Sequence, residues 1–152
     1  MSSSRWTSRR PRRLLRPASI LTPDPTFLRG VPAERIMVAP RLRALLVQSR
    51  GAGALAGEGV RTGRSEHPIC GDEVELDVRV VAGKIAALRW RASGCPATQA
   101  VAAAAAEALV GCTPSEAPQV LRAHLAALGD LAAHERHAEG MLLRALQQAC
   151  GT

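Results

Sequence analysis

Aromatic side chains are nearly missing from this chain, which has no tyrosine, one phenylalanine and two tryptophans in 152 residues. A stacking platform for unpaired bases needs several rings on one surface, so none is expected, and Trp90 is read as a core residue. Long apolar runs are also lacking. Nothing approaches the roughly 18 residues of a membrane span, and there is no secretory h-region. A chain of 152 residues can bury a genuine core, so its four cysteines are not needed as a disulfide framework. Without an export signal they are expected as reduced thiols in a cytoplasmic compartment. No motif pairs a nucleophile with a base, so enzymatic turnover is not expected. His134-Glu135-Arg136-His137 is not a zinc-protease helix motif, because its histidines are three apart rather than four.

The formal charge of +7 is not a property of the whole chain. Residues 1–36 hold eight arginines against Asp24 and Glu34, a balance of +6, whereas residues 37–152 hold eleven arginines and Lys84 against eleven acids, a balance of +1. The basic excess therefore belongs to a leading segment, and the rest carries no nucleic-acid footprint. That segment is rich in Arg, Ser and Pro without apolar periodicity, so residues 1–36 are expected to be a disordered tail and residues 37–152 the folded domain. Few acids among Arg and Ser also describe an organelle transit peptide, but five prolines interrupt the amphipathic helix such a peptide needs. A start at Met37 is the competing expectation. If translated, the tail could bind nucleic acid through its arginines.

After Pro40 the spacing of Leu42, Leu45 and Leu46 predicts a short amphipathic helix. The glycines of residues 51–57 have neither the spacing nor the strand-helix context of a dinucleotide fingerprint. They are read as a flexible loop leading into a strand around residues 57–65. Residues 73–81 alternate, with Val74, Leu76, Val78 and Val80 set against Glu73, Glu75, Asp77 and Arg79, which predicts a half-buried strand. Ala82-Gly83-Lys84 turns the chain, and Ile85 to Ala92 returns as its hairpin partner with one face solvated. The Ala-rich run from Pro96 to Val110, closed by Gly111, predicts a helix packed closely on the sheet. Further helices are expected at about 115–117, 118–128 and 139–148. The fold class is α+β: a small, about three-stranded antiparallel sheet covered on one face by helices.

Chemistry concentrates at the ends of the hairpin. His67-Pro68-Ile69-Cys70-Gly71-Asp72 places a thiol and a carboxylate two residues apart on a turn before the first hairpin strand, and Gly94-Cys95 leaves the second strand at the same end of the sheet. The topology thus predicts that the two sulfurs are neighbours. Cys95 also opens a helix, whose positive end is expected to lower its thiol pKa.

These landmarks resemble the iron-sulfur cluster scaffold family with the NifU amino-terminal, IscU-like (SufE/NifU) fold, over roughly residues 40–150. The resemblance is carried by Cys70-Gly71-Asp72, by Gly94-Cys95 before a small-residue helix, by Gly111-Cys112-Thr113-Pro114 to Glu116-Ala117, and by His137 before the last helix. It implies Cys70, Asp72, Cys95 and His137 as metal ligands and a labile [2Fe-2S] cluster or iron as cargo. It also implies a cysteine desulfurase as sulfur source and apo-iron-sulfur proteins as acceptors. Two departures stand out. The family's third cysteine is Ala138 here, and its Leu-Pro-Pro-Val-Lys chaperone stretch is replaced by Leu131 to Arg136, so the resemblance does not extend to chaperone partnership.

Neither remaining cysteine replaces the third. Cys112 lies about 17 residues down the helix that Cys95 opens, roughly 25 Å away, and Cys150 is about a dozen residues along the last helix, roughly 18 Å from its start. Both are read as small buried hydrophobes. His67 and His134 are read as solvated loop histidines, while Asp72 as a turn cap and His137 as a loop histidine stay open beside their ligand readings. Two thiolates, an imidazole and a carboxylate would hold a cluster or, equally, Zn2+. The alternative is accordingly a degenerate relative that holds zinc or serves as a protein-interaction module without cluster transfer.

Overall fold

The structure is a computed structural model that describes residues 38–151. The expected disordered tail over residues 1–36, and the domain start at residue 37, lie outside the described residues. Three antiparallel strands, β1 (Val60–Glu66), β2 (Glu73–Val81) and β3 (Lys84–Ser93), form one sheet in the order β1-β2-β3. Helices α1 (Pro40–Gln48), α2 (Pro96–Ala108), α3 (Ala117–Ala127) and α4 (His137–Cys150) complete the domain. The expected α+β class is the observed one. No helix among the described residues is long and apolar enough to cross a membrane.

The hairpin is built as its alternation demands, with Val74 opposite Ala92, Leu76 opposite Trp90 and Val78 opposite Leu88. Val74, Leu76, Val78, Ile85, Leu88 and Trp90 are all buried. Its turn is the pair Ala82-Gly83 between the paired residues Val81 and Lys84, with φ of +49° and +75°. Two consecutive positive φ angles match the right-handed twist of the strands. Val80 departs from the expected alternation. The register shifts between Arg79 and Val80, and Val80 is 39% exposed instead of joining the core. The face expected to be solvated is partly covered as well: Asp77 is buried, accepting hydrogen bonds from Leu55 N–H (3.0 Å), Thr62 Oγ1 (2.8 Å) and Arg91 Nη1 (2.7 Å).

The glycine-rich segment expected to be a flexible loop is tied down along the free edge of β3. Trp90 N–H donates to Gly51 O at 3.0 Å, Gly53 N–H donates to Trp90 O at 2.9 Å, and Trp90 Nε1 donates to Arg50 O at 2.6 Å. On the opposite face α4 packs across β1 and β2, and α2 packs against β3. A Cβ on Gly63 would run into the backbone of Ala145 in α4, so the missing side chain lets strand and helix touch. Helix α2 is buried at Ala97, Thr98 and every residue from Ala100 to Ala105. Only small residues allow a helix to sit that close to a sheet while α1, α3 and α4 press on its other sides.

Helix ends moved relative to expectation. Helix α2 stops at Ala108, short of Val110, and α4 starts at His137 rather than at 139, after a 3-10 turn at Ala133–Glu135. Residues 114–116 form a turn, not a helix, with the Glu116 carboxylate accepting from Thr113 N–H at 2.8 Å.

Candidate metal and cluster site

The turn between β1 and β2 is closed by His67 N–H to Asp72 O (2.8 Å) and Gly71 N–H to His67 O (2.9 Å), with Gly71 at φ +69°. It leaves Cys70 exposed and swings Asp72 inward, where Asp72 is only 3% exposed. Across the sheet end, β3 runs through Gly94 at φ +117° into Cys95, the residue that caps α2. The start of α4 brings up His137 from a third direction.

Asp72 ties these three approaches together. Its Oδ1 accepts from Cys95 N–H at 3.2 Å, and its Oδ2 accepts from Thr98 Oγ1 at 2.9 Å and lies 3.3 Å from His137 Nε2. It therefore caps helix α2 from outside, not its own turn. Burial pushes the Asp72 carboxyl pKa upward, but hydrogen bonds from Cys95, Thr98 and His137 outweigh that and hold it well below the usual carboxylate range. The Asp72 side chain is thus a buried carboxylate at neutral pH.

The Cys95 sulfur lies 3.6 Å from His137 Nε2 and 3.4 Å from Thr98 Oγ1. Its thiol pKa is raised, first by burial and then by the Asp72 carboxylate, with Thr98 opposing. This corrects the expectation drawn from its place at a helix N-terminus, where the dipole alone would lower it. Metal binding at Cys95 must therefore release a proton. His137 Nδ1 sits 2.9 Å from His134 O. With Nδ1 donating to that carbonyl, Nε2 is the nitrogen turned toward Asp72 and Cys95, and it ligates a metal once the proton it shares with Asp72 is released, the orientation usual for metal-binding imidazoles.

Three of the four residues singled out by sequence share one cluster of donor atoms, and the fourth adjoins it. One donor atom each of Cys70, Asp72 and His137 lies within 4.8 Å of the others, and Cys95 joins through His137. Two residues that sequence reading left out also belong here. Thr98 lies three positions after Cys95, one helical turn away on the same face, a spacing that signalled its place. His67, expected to be a solvated loop residue, is folded back by the turn: its Nδ1 is 3.3 Å from Cys70 Sγ, and its ring centroid is 5.0 Å from that of His137. Cys70 accordingly has an imidazole beside it, a pairing that no motif in the sequence signals. Cys112 and Cys150 pack partly buried against the core at the far ends of α2 and α4.

The donor set fits a metal or cluster by spacing as well as by chemistry. Two donors on one tetrahedral metal, bonded at about 2.3 Å to sulfur and about 2.0 Å to nitrogen, stand roughly 3.5 Å apart. The pairs Cys95–His137 at 3.6 Å and Cys70–His67 at 3.3 Å have that separation.

Residues 44–152 match the family model of the NifU-like N terminal domain. Among solved structures the chain is similar to a nitrogen-fixing NifU-like protein (N-terminal) from Brucella abortus, at 17% identity with a TM-score of 0.53, over 74% of this chain and 94% of that one. It is also similar, at 18% identity with a TM-score of 0.47 over 76% of this chain and 93% of the other, to a protein from the thermophile Fervidobacterium islandicum AW-1 described as a candidate iron-sulfur cluster assembly scaffold for the SUF system. No curated protein matches the chain.

Proposed function

The chain belongs to the NifU-like N-terminal domain family, and from that membership we propose that it is an iron-sulfur cluster assembly scaffold. Iron and sulfur are gathered at Cys70, Asp72, Cys95 and His137 and the cluster is passed on to apo-proteins, with a cysteine desulfurase as the sulfur source and an electron donor reducing that sulfur to sulfide. The observation that carries this reading is the meeting of His137 Nε2 with both Asp72 Oδ2 (3.3 Å) and Cys95 Sγ (3.6 Å) at a rim where Cys70 stays exposed. Buried Asp72 and half-buried Cys95 and His137 hold the cargo, and an exposed thiol lets it arrive and leave. Ile69, 90% exposed beside Cys70, offers a delivering protein an apolar foothold. All four cysteines are free, and as a scaffold the protein would work in a reducing, cytoplasmic setting.

With Ala138 at the family's third cysteine position, fewer thiolates hold the cluster, and it is more labile than a three-thiolate one. The test is anaerobic loading with iron, sulfide and reductant. Visible sulfur-to-iron charge-transfer absorption and acid-labile sulfide should appear, and both should disappear in Cys70→Ala and Cys95→Ala. Stoichiometric zinc without labile sulfide would overturn the scaffold reading in favour of a zinc-holding relative, since the same donors form a complete tetrahedral zinc set.

A further inference from the structure

We propose that His67 is a ligand in its own right and takes the place of the thiolate that position 138 cannot supply. The inference rests on the scaffold reading above. Ala138 is 1% exposed and has no donor atom, so any donor beyond Cys70, Asp72, Cys95 and His137 must come from elsewhere at the rim. His67 is the imidazole that the β1–β2 turn returns to Cys70: Nδ1 lies 3.3 Å from Cys70 Sγ and accepts from Cys70 N–H at 3.4 Å. An accepting Nδ1 carries its lone pair, so it is the nitrogen that ligates by exchanging the Cys70 N–H for the metal, and it faces the exposed thiol. The ring also lies against His137, with centroids 5.0 Å apart and planes inclined by 58°, which keeps the two imidazoles on one side of the site.

The result is two Cys–His pairs, Cys70 with His67 and Cys95 with His137, each at the separation of two donors on one metal, with Asp72 between them. Mixed thiolate and imidazole ligation changes the cargo's properties. Replacing two thiolates by imidazoles raises the reduction potential of a [2Fe-2S] cluster and leaves it with less negative charge. A cluster held this way is easier to reduce than one held by three thiolates.

The experiment uses the full chain labelled with 15N only at histidine, loaded anaerobically and reduced, with pulsed EPR to count coupled histidine nitrogens and EDTA to time cluster loss. The unaltered protein should show two coupled histidines. His67→Ala should show one and lose its cluster at least about tenfold faster. His67→Cys should also show one, yet keep its cluster and lower its reduction potential. A single coupled histidine in the unaltered protein, with coupling and EDTA rate unchanged in His67→Ala, overturns the role of His67 while the scaffold stands. Failure of the unaltered protein to form any cluster overturns both.

Discussion

Gly94 stands where any Cβ would run into the Asp72 carboxylate. This close approach lets a carboxylate from the start of β2 reach over the end of β3 and cap α2. Its φ of +117° is also one that side-chain-bearing residues rarely adopt. Gly94→Ala should lose about 1–3 kcal/mol from backbone strain alone and displace Asp72 from Cys95 and Thr98. A urea unfolding midpoint equal to that of the unaltered protein would contradict the claim.

Thr98 is buried at 2% exposure, with its hydroxyl donated to Asp72. Thr98→Val keeps the shape and removes the donor, which should cost about 1–3 kcal/mol because the acceptor is a buried carboxylate. The Asp72 pKa should rise with it. A folded pKa held below the unfolded value gives stability at neutral pH that is lost on acidification, so the variant's acid-unfolding midpoint should move to higher pH, as circular dichroism can follow.

Acid sensitivity has a second source away from the site. Hydrogen bonds from Arg91 lower the Asp77 carboxyl to about 2, against burial, whereas an unfolded chain has it near roughly 3.9. The stabilisation is present above the unfolded value and is lost as pH falls through the folded one, between about pH 4 and pH 2, and amounts to about 2 kcal/mol. Asp77→Asn should be less stable at pH 7 and should show a flatter decline over that window in urea unfolding at stepped pH. Parallel curves for the two proteins would remove Asp77 from the account.

Ala82 occupies a hairpin position with φ of +49°, where an L side chain is strained. Ala82→Asn and Ala82→Gly should each raise stability, the former by about 1 kcal/mol, with a corresponding rise in melting temperature and no change in cluster loading.

Ala138→Cys places a thiol at the second residue of α4, next to His137, where the proposed scaffold would gain a third thiolate. The site is fully packed, so the larger side chain should cost about 1 kcal/mol or more of stability. The loaded cluster should nevertheless survive EDTA longer. A cluster lifetime no longer than that of the unaltered protein would show that this position does not face the cargo.

The hairpin and the convergence of its two ends were legible because alternation of Val74, Leu76 and Val78 specifies a face and a strand-turn-strand unit specifies which ends meet. What escaped was set by tertiary contacts or by single-residue irregularities. The register shift at Arg79 and Val80 leaves no mark in composition. Burial of Asp77 depends on Leu55 and Thr62, 22 and 15 positions away. The Cys95 thiol shows the same limit: a helix N-terminus can be read from Pro96, but burial and the Asp72 carboxylate come from the assembled fold and reverse the sign. His67 reads as exposed in a linear view because its turn folds back on itself only in the assembled fold.

The segment hydrogen-bonded along β3 through Gly51 and Gly53 has a consequence for behaviour in concentrated solution. An unprotected outer strand is a template on which another polypeptide can add itself and start ordered self-association. Here both backbone groups of Trp90 are already engaged, so that border of the sheet offers little to a newcomer. Loss of the segment would bare that border and favour filament growth.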